Sequence, residues 1–511
     1  MKRKIKININ GKAQENKMNY ISTRGNGGVT TAAGAIKQGL AKDGGLYMPE
    51  KLPVLEKGEL ERLSKMSYPE RAATVLSKFL TDYTYDELYE DCSEAYSEKR
   101  FPGGAAPTSA LGEKMRILEL WHGPTSAFKD MALQIMPRLF VRALRKTGEQ
   151  KTALILVATS GDTGKAALEG YKDVDGVKIA VFYPVDGVSR VQKLQMATQE
   201  GNNVQVYAVK GNFDDAQNGV KKIFSDPEMS RAIADNGYFF SSANSINWGR
   251  LAPQIVYYIS AYCDLMASGD ITEGEIVDVC VPTGNFGNIF AAYIAKQMGL
   301  PVGKLICASN KNNILTDFLR TGVYDRNRLF HTTMSPSMDI LISSNLERLL
   351  YLIAGSEETA SYMKQLSENG VYKVSDGVLA KIQSDFCGYF CDEKGTANTI
   401  KSIYNGYNYL SDTHSAVAIS ATEQYLADSK EKAAKRVIIA STASPYKFAS
   451  AVYESLTDKP APDGPAALDA LTELTGVEIT APLAGLDKKT VRFTRVIESA
   501  DMPAVALENT K

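Results

Sequence analysis

Metal-type cysteine spacing is missing from this chain. Its six cysteines, Cys92, Cys263, Cys280, Cys307, Cys387 and Cys391, form no Cys-x-x-Cys pair, and its three histidines, His122, His331 and His414, are too scattered for a zinc cluster. No metal is expected, and the thiols read as free side chains in a reducing cytosol. Cys387 and Cys391 would fall one turn apart on a helix, the one spacing that could allow a redox pair. An excess of either charge is also missing. The 58 lysines and arginines nearly cancel the 59 aspartates and glutamates, so nothing electrostatic points to nucleic acid as a partner. No stretch approaches the roughly 20 apolar residues of a membrane-spanning helix, so no membrane association is expected. The opening Met1-Lys-Arg-Lys-Ile-Lys-Ile-Asn-Ile-Asn alternates isoleucine with polar residues and lacks the apolar core of a secretory signal. A cytoplasmic protein is expected. Residues 1–17 read as a disordered leader, with an added strand through Ile9 as the alternative. Internal repeats and low-complexity tracts are absent as well.

At 511 residues the chain is too long for one core. From Arg116 onward, short apolar runs alternate with segments of helical period. Arg116–Leu120 precedes a helix near Lys129, Thr152–Ala158 one near Thr163, Val177–Phe182 one capped by Ser189, Val204–Val209 one near Asp214, and Ile276–Pro282 the helix Gly287–Met298. Such βα units predict an α/β fold of parallel sheets covered by helices, with ligands bound where loops leave the carboxyl ends of strands. Arg436–Ala440 with Ser441–Phe448 is a late unit of the same kind, and 310–410 reads as helical and irregular. The turn-rich Phe101-Pro-Gly-Gly-Ala-Ala-Pro107 ends a segment of different texture. The expected organisation is an N-terminal subdomain over 18–105, a large domain over 106–150 and 270–511, and a small α/β domain over 151–269.

Four loops could carry chemistry. In Thr283-Gly-Asn-Phe-Gly-Asn288, glycines between a strand and an apolar helix let backbone N–H groups converge on an anion; an ordinary tight βα turn explains them equally well. No acidic residue lies between Asn285 and Thr316, which disfavours a dinucleotide. The loop Ala158-Thr-Ser-Gly-Asp-Thr-Gly-Lys165 fails Walker A spacing, having Thr159 where glycine and Ala166 where serine or threonine would be needed. What remains suits a carboxylate or phosphate, or simple N-capping by Ser160 or Thr163. In Trp121-His-Gly-Pro-Thr-Ser-Ala-Phe-Lys129-Asp130, burial of Lys129 near a helix start would depress its pKa and yield the neutral amine that condenses with a carbonyl; a surface lysine is the alternative. The fourth, Ser241-Ser-Ala-Asn-Ser-Ile-Asn-Trp-Gly-Arg250, groups Asn244, Ser245 and Arg250 as donors to a dianion, or forms a capping turn with a solvated arginine before a helix from Leu251.

Taken together and in this order, these loops resemble the threonine synthase family, within the tryptophan-synthase-like (fold type II) pyridoxal-phosphate enzymes, from Met18 to about Ser455. Tyr20-Ile-Ser-Thr-Arg-Gly and Gln38-Gly-Leu-Ala-Lys-Asp-Gly-Gly-Leu-Tyr-Met-Pro49 are similar to the family's opening signature. The resemblance implies a fold type II enzyme with two α/β domains around a cofactor cleft, plus the N-terminal subdomain. It implies pyridoxal 5′-phosphate bound through Lys129, with Phe128 beside it, its phosphate in the loop Gly284, Asn285, Phe286, Gly287 and Asn288, and Thr442 facing its ring nitrogen. It places Asn244, Ser245 and Arg250 at the substrate phosphate, and Ser160 with Thr163 near the substrate carboxylate. The broader fold often carries Asn where this chain has Asp162. The activity implied is conversion of O-phospho-L-homoserine and water to L-threonine and phosphate, by a monomer or weak homodimer. Alternatives are a serine or threonine dehydratase, a family member turned phospholyase or binding protein, and a nucleotide-binding module.

Overall fold

A computed structural model of the chain describes residues 17–185 and 188–510. Apart from Lys17, the leader expected over 1–17, with its Ile5–Ile9 alternation, lies outside the described residues.

Two parallel sheets dominate. The larger has the order Phe386–Phe390, Val302–Ser309, Val277–Pro282, Arg436–Ser441, Met115–Glu119 and Thr108–Leu111, parallel throughout except for its antiparallel last strand. The smaller runs Val496–Ile497, Val204–Val209, Val177–Pro184, Thr152–Ala158 and Tyr238–Ser241, all parallel. Their central strands are near-continuous apolar runs because both faces are covered: every residue of Val277–Pro282 is buried, as are Ala153–Ala158. The Ser189 cap is present, its side chain accepting from the N–H of Gln192 at the start of the helix Arg190–Ala197.

Three placements differ from the expected boundaries. Val496–Ile497 extends the smaller sheet beside Ala208–Val209, and the helix Met502–Glu508 packs on Phe213–Ser225, although 270–511 was expected to belong to the large domain. Ile497, Met502, Val505 and Ala506 find their apolar partners in Val209, Ala216, Val220 and Ile223. The helix Trp248–Ala267, expected in the small domain, is buried along nearly its whole length between the N-terminal helix Tyr68–Phe79 and the helix Gly287–Gln297. Its side chains are mostly apolar on every face, as an enclosed helix requires, with Arg250, Gln254 and Ser260 as buried polar exceptions. Finally, Phe386–Phe390 is a strand in register with Leu305–Ser309, so Cys387 and Cys391 are not separated by a helical turn, and all six cysteines are free.

The N-terminal subdomain is a three-stranded antiparallel sheet, Val29–Thr30, Tyr20–Ser22 and Tyr47–Pro49, followed by short helices. It is pinned to the rest of the chain by polar contacts. Thr23 donates to Glu347 at 2.6 Å, and Arg24 grips the same carboxylate with two bonds of 2.9 Å. Among the described residues no helix is long and apolar enough to cross a membrane, and no group of His, Cys, Asp and Glu could hold a metal ion.

Candidate functional site

Every loop singled out by sequence leaves the carboxyl end of a parallel strand. Thr442 and the lysine loop follow Arg436–Ser441 and Met115–Glu119, which are neighbours in the larger sheet, and Thr283–Asn288 follows Val277–Pro282 beside them. The Thr159 and Ser242 loops follow Thr152–Ala158 and Tyr238–Ser241 of the smaller sheet. A crevice at such strand ends is where open α/β sheets bind ligands.

Lys129 lies at its centre, 9% exposed, with Nζ 4.6 Å from the centre of the Phe128 ring. Burial lowers its pKa to about 8, and the positive charges of Arg250 and Lys447 push in the same direction, while Asp162 opposes them. The backbone N–H of Phe128 donates to the carbonyl of Thr442 (2.8 Å), and Ser444 donates to the carbonyl of Ser126 (3.0 Å). The lysine loop and the Thr442 loop are thereby fastened together. Thr442 is itself 5% exposed.

Asp162 is the hub of the charges. Its carboxylate lies 3.8 Å from Lys129 Nζ and 3.0 Å from Lys447 Nζ, and it accepts 2.8 Å from the side-chain amide of Gln192. Burial alone would raise its pKa, but Lys447 and Lys129 hold it far below the usual carboxylate range. Lys447 is fully buried and also donates to the Thr125 carbonyl (2.8 Å) and to Gln195 Oε1 (3.0 Å). Asp130, next to the lysine, is pushed up to about 6 by burial, although the N–H and hydroxyl of Thr125 both donate to it.

The glycine loop is shaped for close approach. Phe286 takes left-handed backbone (φ 62°) just before the helix Gly287–Gln297. A Cβ on Gly284 would lie 2.5 Å from the carbonyl of Ser337, and one on Gly287 3.3 Å from Asn345. Asn345 anchors the loop by donating to the carbonyl of Asn285 through both backbone (3.0 Å) and side chain (2.9 Å). It is held in turn by the buried Arg348, which also donates to the carbonyls of Tyr47 and Ile246. Asn288 accepts from Tyr257 (2.6 Å) and Tyr258 (2.5 Å), while its buried Nδ2 has no partner.

Both alternatives left open for the other two loops fall to the observed caps. At the helix Asp162–Tyr171 the capping hydroxyl belongs to Thr159, which accepts from the N–H groups of Gly161 and Gly164 at 2.9 Å each. Neither Ser160 nor Thr163 caps that helix, and both are half-buried beside Asp162 in sequence. The helix expected from Leu251 starts at Trp248 and is capped by Asn247, which accepts from Gly249 (2.9 Å). Asn244 and Ser245 therefore stand clear of the capping role; Ser245 accepts from Asn345 at 3.3 Å, which ties it to the glycine loop. Arg250 is not solvated. It is 3% exposed, donates through Nη1 to the carbonyl of Ala243 (2.6 Å), leaves its buried Nε without a partner, and pairs with no carboxylate among the described residues. Burial pulls its pKa down to about 10.

Residues 105–443 match the family described as pyridoxal-phosphate dependent enzymes, 19–96 the threonine synthase N terminus, and 415–506 the threonine synthase C-terminal family. The chain belongs to the threonine synthase family. Pyridoxal 5′-phosphate is its cofactor. The structure of yeast threonine synthase is 33% identical, with a TM-score of 0.85 over 96% of this chain and 98% of that one. The pyridoxal-phosphate-bound threonine synthase from Brucella melitensis is 35% identical, with a TM-score of 0.83 over 97% of this chain and 100% of that one. Among curated relatives, threonine synthase of Saccharomyces cerevisiae is 36% identical over 86% of this chain and 89% of its own length. Human threonine synthase-like 1 is 42% identical over 83% of this chain, but the match takes in only 58% of that protein's length.

The residues present fit the cofactor. A buried lysine with a depressed pKa, two glycines at which a side chain would crowd neighbours, and an unpartnered amide on Asn288 supply an amine, a close-approach loop and a spare donor. Sequence reasoning assigned no role to Lys447, Gln192, Thr159, Asn345 or Arg348. Lys447 stood in a quoted motif, five residues after Thr442, and only the Ser444-Pro445 turn brings it back to Asp162.

Proposed function

We propose that this protein is a threonine synthase, converting O-phospho-L-homoserine and water into L-threonine and phosphate. The single observation that carries the choice of substrate is Arg250, a buried guanidinium with an orphaned Nε and, among the described residues, no carboxylate to neutralise it. A desolvated cation of this kind is destabilising by itself and calls for an anion. Asn244 and Ser245, free of capping duty, would join it around a phosphate dianion, and Ser160 with Thr163 would receive the substrate carboxylate. Lys129 would hold the cofactor with Phe128 against it, the loop from Gly284 to Asn288 would take its phosphate, and Thr442 would offer its hydroxyl to the ring nitrogen. When bound, the cofactor supplies an electron sink for a substrate carbanion.

Lys129 would remove the proton from substrate Cα and return one at a neighbouring carbon. With its pKa at about 8, its neutral form at pH 7 is roughly 300-fold more abundant than for a free lysine. Asp162, kept ionised by Lys447, would steady the protonated form of Lys129 between transfers. The enzyme is read as cytoplasmic and as a monomer or weak homodimer, which fractionation and sedimentation would check.

A second reading is a family member turned phospholyase, which would release phosphate, ammonia and 2-oxobutyrate from the same substrate and water; the relative at 42% identity carries the name threonine synthase-like 1 and not threonine synthase. Both readings need Arg250. A serine or threonine dehydratase does not, since its substrates carry no phosphate. Arg250→Ala is expected to leave the visible absorbance of the bound cofactor intact. It should lower kcat/KM for O-phospho-L-homoserine by about two orders of magnitude, roughly 3 kcal/mol of lost interaction, with Arg250→Lys recovering only part. A parallel loss of any slow serine deamination would refute the phosphate-receptor role.

A further inference from the structure

A cavity of about 480 Å³ opens on the far side of the Gln195–Lys447–Asp162 chain, and neither Lys129, Arg250, Thr442 nor the glycine loop lines it. Its size suits a small organic molecule. Five cations and two acids line it. The acids are already taken: Glu169 pairs with Lys165 at 3.1 Å and Glu200 with Lys172 at 2.7 Å. Lys99, Arg100 and Lys489 remain with no carboxylate within 4.0 Å among the described residues. They come from two segments far apart in the chain, so nothing local explains their convergence. Trp121 and His122, half-buried and stacked with ring centres 4.3 Å apart, form part of the wall. Gln195, 1% exposed, also lines the cavity, and its buried Nε2 has no partner.

We infer that this cavity binds a small organic phosphate carrying a flat ring, and that its occupancy is transmitted to Lys129. Three unneutralised cations fit a dianion better than a single carboxylate, and the stacked pair offers apolar surface to a planar group. The spare amide of Gln195 donates to the bound anion. Its other end is already committed, since Gln195 Oε1 accepts from Lys447 Nζ at 3.0 Å. Lys447 lies 3.0 Å from Asp162, and Asp162 lies 3.8 Å from Lys129. An anion that reorients Gln195 therefore acts on the charge network around Lys129. The lysine loop itself borders both sites, because Ser126 lines the cavity and bonds to Thr480 across it at 3.0 Å.

The test uses cofactor-loaded protein and adenosine 5′-monophosphate as the probe, by isothermal titration calorimetry alongside the visible absorbance of the bound cofactor. The expected result is one saturable site per chain, little binding of adenosine, and a change in the cofactor's absorbance as the site fills. Arg100→Gln and Lys489→Gln should each weaken the probe by about tenfold or more, whereas Arg250→Ala should bind it as wild type does. Lys489 is exposed in a turn, so its variant remains informative should Arg100→Gln fold poorly. Absence of saturable binding up to about 1 mM, or loss of binding in Arg250→Ala instead, would overturn the site. Binding without any change in absorbance would overturn its transmission to Lys129.

Discussion

Lys447→Met is the perturbation that most sharply separates a charge network from an ordinary buried ion pair. Lys447 Nζ lies 3.0 Å from one oxygen of Asp162 and Lys129 Nζ 3.8 Å from the other. At an effective dielectric near 20 these separations correspond to attractions of about 5.5 and 4 kcal/mol before desolvation is charged against them. With Lys447 gone, Asp162 has one cation in place of two, and Lys129 loses a positive neighbour that helps to depress it. Both changes raise the pKa of Lys129 from about 8 toward its ordinary 10.5. Each unit gained lowers the neutral amine at pH 7 about tenfold, equivalent to about 1.4 kcal/mol. The assay is the rate at which cofactor-free protein captures added pyridoxal phosphate, followed by stopped-flow absorbance across pH. In wild type the rate rises with pH through about 8, because the deprotonated amine is the reactive form. In Lys447→Met the midpoint should move alkaline by at least about one unit, with a tenfold or greater loss at pH 7 that is largely recovered near pH 10. The variant should also unfold more easily, by about 3 kcal/mol or more, since Asp162 loses a buried partner. A midpoint that stays in place or moves acid, in protein whose fold is intact by circular dichroism, would refute this electrostatic account of Lys129.

Borohydride reduction of the cofactor-loaded protein should fix the label to the peptide carrying Lys129, read by mass spectrometry; label on Lys165 or Lys447 would contradict the assignment. Gly284→Ala should weaken cofactor affinity about tenfold or more in equilibrium dialysis, because its Cβ meets the Ser337 carbonyl at 2.5 Å and backbone must move. Asn285→Ala should have a smaller effect, since Asn285 holds the loop through its own carbonyl, to which Asn345 donates. Equal losses would argue against a loop that works by backbone approach.

The parallel strands were legible wherever burial on both faces wrote a continuous apolar run, as in Thr152–Ala158, which matches the reading residue for residue. Phe386–Phe390 was not, because Cys387 and Gly388 interrupt its short run and its identity as a strand comes from pairing with Leu305–Ser309, a partner some 80 residues away. The terminal strand Val496–Ile497 has two residues and no pattern of its own. At the candidate site, loops with glycine, hydroxyl and amide clusters announced themselves. The supporting residues did not, since Lys447 and Arg348 look in sequence like any surface cation and owe their meaning to contacts with Asp162 and Asn345. Asp162 shows the same limit from the other side. The sequence marks it only as a departure from the asparagine of the broader fold, and in the structure it is the carboxylate that joins two buried lysines.

The central claim is most directly tested by incubating the cofactor-loaded protein with O-phospho-L-homoserine and measuring phosphate, L-threonine and 2-oxobutyrate in the same samples. Phosphate and L-threonine should appear in equal amounts at every time point. Phosphate accompanied by 2-oxobutyrate and no L-threonine, or no phosphate at all, would contradict the assignment.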